Sequence, residues 1–128
     1  MFTIVDIETT GTVHKYGKIT EIAIFVFDGQ TITDQLVTLI NPEMDIPRPI
    51  TRLTGITNEM VAHAPRFYEV ARRIVEITSG RIFVAHNVMF DYRFIQEEFK
   101  PFSLRLILME MVLLIFTIWM TIMMVFRI

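Results

Sequence analysis

The composition of this 128-residue chain changes abruptly near Lys100, and the change limits how much of the chain can fold as one patterned domain. From Pro101 onward, 21 of 28 residues are apolar and only three are charged. This stretch carries much of the apolar excess behind a mean hydropathy of +0.48, which is high for a soluble protein. The sequence therefore predicts one domain over residues 1–100, followed by a hydrophobic tail over residues 101–128.

The tail has three competing interpretations. It is a frame-shifted or truncated gene segment, a membrane anchor, or a core helix. We favour the first because the composition changes abruptly and residues that form turns are few. Residues 111–126 form a run of 16 without a charge, which is shorter than the roughly 20 residues that span a bilayer. Membrane association of the tail stays open at this stage.

The first 100 residues alternate between strand and helix patterns. Apolar, β-branched runs predict three strands in series, joined by turn residues that favour an antiparallel meander. A fourth strand then follows a helix and precedes a second helix. The predicted strands cover residues 2–7, 19–27, 31–40 and 81–85, and the predicted helices cover 58–62, 65–78 and 88–100, with a loop over 41–49. This order predicts an α/β fold with a mixed sheet.

The cysteine content, the N-terminus and the net charge limit the kinds of site and the cellular compartment that the sequence suggests. The chain has no cysteine, which excludes disulfides and thiolate metal sites and suits a cytoplasmic protein. No basic leader or cleavage site marks the N-terminus as a secretory signal. The net charge of −2 does not by itself indicate a nucleic-acid-binding protein.

Two acids stand in the otherwise apolar first strand. Asp6 and Glu8 are two residues apart, so both side chains point to the same face of the strand. Adjacent carboxylates repel each other, and a hard divalent cation such as Mg²⁺ or Mn²⁺ relieves that repulsion. Taken alone, the pair is equally consistent with an exposed strand end.

A third acid lies on the apolar side of the last predicted helix. Asp91 shares an arc of the helical wheel with Phe90, Phe94, Ile95 and Phe99. A carboxylate on the core side of an amphipathic helix requires a partner. We therefore favour a metal site shared with Asp6 and Glu8 over a simple electrostatic role at the N-terminus of the helix.

Two motifs give the chain a specific resemblance. Residues 6–11 (DIETTG) and 86–91 (HNVMFD) resemble the first two motifs of the DEDD-type 3′–5′ exonuclease family, which includes the proofreading epsilon subunit of bacterial DNA polymerase III. Residues 19–23, 39–42 and 53–57 resemble the segments between those motifs. The resemblance covers about residues 1–100.

The resemblance implies a function and a set of roles. It implies an α/β fold with a ribonuclease-H-like mixed sheet that is incomplete at its C-terminal end. It also implies hydrolysis of a 3′-terminal phosphodiester bond with two Mg²⁺ or Mn²⁺ ions, with single-stranded DNA as the favoured substrate. The implied catalytic and metal-binding residues are Asp6, Glu8 and Asp91. The implied substrate-binding residues are Thr9, Leu53, Thr54, Gly55, Asn87 and Phe90. A DNA polymerase partner is left open, as is the choice between DNA and RNA.

The third motif of that family has no counterpart here. It places a histidine five residues before a final aspartate, yet no histidine follows His86 and no aspartate follows Asp91. Only three acids follow Asp91, and Glu98 lies nearest to it on the helical wheel, about 20° away. The alternatives to an active exonuclease are an inactive nucleic-acid- or polymerase-binding module and a membrane-tethered protein.

Overall fold

The computed structural model describes residues 1–101, and the tail interpretations fall on residues outside that range. The strands are β1 (Phe2–Thr9), β2 (Ile19–Phe27), β3 (Ile32–Leu39) and β4 (Ile82–Val84). The helices are α1 (Arg48–Thr54), α2 (Asn58–Val61), α3 (Phe67–Thr78) and α4 (Val88–Phe99). None of the helices in residues 1–101 has the length and apolar character needed to cross a bilayer.

The four strands form one mixed sheet in the order β3-β2-β1-β4. β1 pairs antiparallel with β2, and β2 pairs antiparallel with β3, as the turn residues predicted. β4 pairs parallel with β1, with Phe2 opposite Ile82 and Ile4 opposite Val84. The predicted meander and the helical crossover to the fourth strand are thus confirmed, and β1 is a central strand.

Helices α3 and α4 cover one face of the sheet. The side chains of β1 alternate between buried and exposed, and Thr3, Val5 and Ile7 point into the core. The residues that meet them include Ile74 and Ile77 of α3 and Phe94, Ile95 and Phe99 of α4. This packing fixes α4 against the strand that carries the acidic pair.

The opposite face of the sheet is open among the described residues. It presents the partly exposed apolar side chains of Phe2 and Ile4 from β1 and of Ile82 and Val84 from β4. Asp6 and Glu8 continue this same face toward the end of β1. The acids therefore lie where an apolar strip gives way to a polar strand end.

Helix α1 replaces the loop that was predicted around Pro47 and Pro49. The helix begins at Arg48, with Pro47 at the capping position and Pro49 in the first turn, where no backbone hydrogen bond is lost. Its end is set by Gly55, whose φ of 78° is left-handed and whose N–H donates to the Thr51 carbonyl. Reading both prolines as helix breakers was wrong, because proline is disfavoured only inside a helix.

Helix α3 begins two residues later than its proline suggested. The helix starts at Phe67, and the Glu69 carboxylate accepts a hydrogen bond from the Arg66 backbone N–H at 2.7 Å. Pro65 instead offers its carbonyl to the N–H of Asn41. The hydrogen bond that the Glu69 carboxylate accepts in the first turn therefore marks the start of α3 more closely than Pro65 does.

Candidate active site

The end of β1 positions the acidic pair. Asp6 lies opposite Ala23 of β2, and Glu8 lies opposite Glu21. The strand pairing slips between Glu8 and Thr9, an irregularity of the kind that often ends pairing beside a functional site. Asp6 is exposed and Glu8 is half-buried, so solvent and solutes reach both carboxylates.

The third acid comes to β1 from helix α4. β4 ends at Val84, opposite Ile4, so the described residues leave β1 without a strand neighbour on that side beyond Ile4. Helix α4 follows β4 and packs on β1, and there the backbone N–H of Ile7 lowers the pKa of the Asp91 carboxyl. Asp91 is only 6% exposed, which confirms that it lies on the core side of its helix.

Burial and neighbouring charge both disfavour ionisation of Asp91. The pKa of the Asp91 carboxyl is raised to about 6, chiefly by burial and in smaller part by the negative charge of Asp6. Hydrogen bonds from the backbone N–H groups of Asp91 itself and of Ile7 act in the opposite direction, as does His86. The Asp91 carboxyl thus lies within electrostatic reach of Asp6.

Glu8 shows the same pattern more weakly. Burial raises the pKa of its carboxyl, and the charges of Asp6 and then Glu21 add to the rise. Asp6 therefore raises the pKa of both other predicted catalytic acids. Among residues 1–101, no lysine or arginine forms an ion pair with Asp6, Glu8 or Asp91 within 4.0 Å.

The donor chemistry of this acidic group fits a hard divalent cation. Two carboxylates, those of Glu8 and Asp91, share Asp6 as an electrostatic neighbour, and carboxylate oxygen is the ligand that Mg²⁺ and Mn²⁺ prefer. Within residues 1–101, however, no three histidine, cysteine, aspartate or glutamate side chains stand close enough together to form a ready-made metal site. Coordination by all three acids therefore stays a prediction.

Two predicted substrate-binding segments lie on loops and helix ends. Thr9 is buried, and its hydroxyl donates to the Gly11 carbonyl at 2.6 Å, which fixes the turn after β1. Thr54 donates to the Ile50 carbonyl at 2.9 Å at the end of α1. Leu53 is 82% exposed, so its side chain is available for contact with a ligand.

The third predicted segment opens α4. Asn87 occupies the capping position of α4, but its side chain makes no capping hydrogen bond. The Asn87 carbonyl instead accepts from the N–H groups of Phe90 and Asp91 at 3.0 and 3.3 Å. Phe90 packs on Phe94, with ring centroids 4.8 Å apart. Among residues 1–101, the exposed Asn87 amide makes no hydrogen bond, and it lies one helical turn before Asp91.

Sequence reasoning missed Glu21 as part of the acidic group. Glu21 faces Glu8 across the β1–β2 ladder and raises its pKa. The hairpin was predicted, but the exact pairing was not, because the pairing slip at Glu8 and Thr9 has no clear sequence signal. His14 and Arg93 were also missed, although both line a cavity with Asn87 and Phe90.

Comparison with known proteins places this geometry in a family. The sequence model of the RNase T exonuclease family matches residues 3–124. The 3′–5′ exonuclease DinG of Bacillus subtilis is 42% identical over 98 residues, which cover 76% of this chain and 10% of DinG. The DNA polymerase III subunit epsilon of Treponema pallidum is 36% identical over 97 residues, covering 76% of this chain and 45% of that protein.

Solved structures agree with these relatives. Exonuclease X in complex with 5′ overhanging duplex DNA superposes with a TM-score of 0.60 at 35% identity, covering 73% of this chain and 52% of that one. Exonuclease I gives a TM-score of 0.69 at 21% identity, covering 77% and 24%, and this likeness supports the ribonuclease-H-like fold. The chain spans less than half the length of the two curated relatives named above.

Proposed function

Because the chain belongs to the RNase T family of exonucleases, we propose that it hydrolyses the terminal phosphodiester bond at the 3′ end of single-stranded DNA. The 3′–5′ direction is supported by the name of the DinG relative. A DNA substrate is supported by the exonuclease X complex, whose title names duplex DNA with a 5′ overhang.

The observation that carries this proposal is the position of Asp6 as the electrostatic neighbour of both Glu8 and Asp91. Its charge raises the pKa of each of these carboxyls, so the ionised carboxylates repel one another unless a cation is bound. We propose that Asp6, Glu8 and Asp91 hold two divalent ions, Mg²⁺ or Mn²⁺. Such ions, when bound, activate the attacking water and stabilise the leaving oxygen.

The remaining predicted residues have a positioning role in this proposal. The exposed Leu53 side chain contacts the terminal base, and Thr54 and Gly55 shape the helix end that presents it. The turn fixed by the Thr9 hydroxyl holds the terminal nucleotide through its backbone. Asn87 and Phe90 contact the strand from the side of α4, next to Asp91.

The 128-residue chain is expected to cleave slowly. No histidine follows His86, and a base that takes the proton of the attacking water contributes about 10²–10⁴-fold to such a reaction. No aspartate follows Asp91, so the acidic group offers one carboxylate fewer than the family pattern. Because these groups act as a unit, the two losses are not expected to multiply.

The test follows the shortening of a 5′-labelled single strand in Mn²⁺ by the purified chain. We expect a ladder of products shortened from the 3′ end, and we expect Asp6→Asn to abolish it. Asp45→Asn is the matched control, because Asp45 is an exposed acid on the loop before α1. Equal cleavage by the unaltered chain and Asp6→Asn would place the activity elsewhere, for example in a contaminant.

A second candidate function is a binding module without catalysis, which the absence of a third motif favours. In that case the chain binds single-stranded DNA but produces no ladder in Mn²⁺ or Mg²⁺. The epsilon relative is named as a polymerase subunit, so a polymerase is a second binding partner to test with the same inactive protein.

A further inference from the structure

A second feature lies beside the acidic group, between the β1–β2 loop and the start of α4. It is a cavity of about 230 Å³ lined by Thr12 and His14 from the loop and by Asn87, Phe90 and Arg93 from α4, among others. Asn87 precedes Asp91 by one helical turn, so the cavity adjoins the acidic group. The cavity is more polar than a core void, because four of these five side chains carry hydrogen-bonding groups.

The walls of this cavity are held in place by close packing. A Cβ atom at Gly17 would come within 2.9 Å of the Phe94 ring, so only glycine lets the loop approach α4 this closely. The Gly17 N–H donates to the Val13 carbonyl at 2.8 Å, which closes the turn that contains His14. His14 in turn meets the Phe94 ring edge-on, with centroids 6.4 Å apart.

Arg93 supplies an unpaired positive charge at the cavity. It is exposed, and within residues 1–101 its guanidinium takes part in no hydrogen bond or ion pair. The nearest competing acid along the helix is Glu97, whose carboxylate lies 4.0 Å from His14 but only 2.6 Å from Lys100. Lys100 lowers the pKa of Glu97 and pairs with its carboxylate, so Glu97 is paired with Lys100 and leaves the charge of Arg93 available at the cavity.

We propose that this cavity is a subsite for the strand next to its 3′ end. Arg93 and His14 bind the phosphodiester that precedes the scissile one, and the Phe90 ring supports the adjoining base or sugar. A guanidinium beside an aromatic ring suits a nucleic-acid strand, because the ring accepts any base and the cation binds the backbone. The inference rests on the proposed function, since it names a part of the same substrate.

The subsite makes a prediction about binding that does not depend on cleavage. Anisotropy of a short, labelled oligothymidylate in EDTA reports binding without cutting. We expect Arg93→Gln to weaken binding about tenfold and to lower the slope of log K against log salt by about 0.7. Arg93→Lys, which keeps the charge, restores most of the slope. Arg72→Gln is the matched control, because Arg72 is an exposed arginine on α3 whose partner is Glu76.

A neutral linkage in the strand locates the contact. One methylphosphonate placed before the terminal phosphodiester should weaken binding by the unaltered chain as much as Arg93→Gln does, and should cost the Arg93→Gln variant nothing further. Equal binding by Arg93→Gln and Arg72→Gln, an undiminished methylphosphonate effect in Arg93→Gln, or no binding by the unaltered chain would overturn the subsite. If binding behaves as expected but no ladder forms in Mn²⁺, the proposed hydrolysis fails and the subsite stands.

Discussion

The two ends of α4 each bury an acid, and the two acids are used differently. Asp91 in the first turn is 6% exposed and Glu98 in the last turn is 7% exposed. Burial raises the pKa of both carboxyls and is the largest cause in each case. Burial alone therefore does not distinguish a catalytic acid from a structural one.

The neighbours of the two carboxylates make the distinction. Glu98 accepts a hydrogen bond from the backbone N–H of Ile19 at 3.1 Å, at the start of β2. Lys18 lowers its pKa, and Glu43 raises it. The pKa of Asp91 is instead raised by the carboxylate of Asp6 on β1 and lowered by His86. The proposed cation site therefore includes Asp91, whose acidic neighbour is itself a proposed ligand, and leaves out Glu98, whose carboxylate accepts from Ile19.

This comparison corrects one expectation from the helical wheel. Glu98 lies close to Asp91 in angle, which made it the first acid to consider as a substitute for the absent third motif. The two residues are seven positions apart, so they are separated by about 10 Å along the helix axis. The Glu98 carboxylate also accepts a hydrogen bond from the backbone N–H of Ile19 on the buried side of the sheet.

The largest expected difference is in catalysis. Asp91→Asn should lower the rate of strand shortening in Mn²⁺ at least about a hundredfold, because it removes a charge that the proposed metal site requires. Glu98→Gln should stay within about twofold of the unaltered chain. Initial rates on a labelled single strand measure both. A hundredfold loss in Glu98→Gln would mean that Glu98 takes part in the reaction after all.

The next difference is in stability. Glu98→Leu should lower the free energy of unfolding by about 1–3 kcal/mol, because it leaves the buried N–H of Ile19 without an acceptor. Asp91→Asn should not lower it, since asparagine still accepts from Ile7 and the repulsion by Asp6 is removed. Urea unfolding of the full chain measures both changes. A larger loss in Asp91→Asn than in Glu98→Leu would reverse the assignment of roles.

The smallest expected effect is a pH dependence. The folded-state pKa of Glu98 is raised, so the stability that it contributes is fully present below its ordinary pKa and is lost as pH rises through the raised value. Glu98→Gln cannot lose a proton, so its stability should rise relative to the unaltered chain between acidic and neutral pH. Urea midpoints along a pH series test this. A difference that is constant with pH would show that Glu98 titrates normally.

Much of the site was predictable because its signals are local or periodic. The strand alternation placed Asp6 and Glu8 on one face, and the helical period placed Asp91 on the core side of α4. The role of Glu98 was not predictable, because its partner is a backbone group 79 residues earlier. The short length of β4 was also not predictable, because the residue at which its three-residue pairing with β1 stops has no local sequence signal.

The parallel pairing of β1 with β4 also affects the order in which the protein folds. β1, β2 and β3 pair with their sequence neighbours, so this hairpin series closes only short loops. Pairing β1 with β4 requires residues about 80 positions apart to meet, and contacts of that kind form late because the entropy of a long loop is lost first. The acidic group is therefore expected to assemble in the final steps of folding. A nascent chain then lacks the Asp91 side of the acidic group until α4 has left the ribosome.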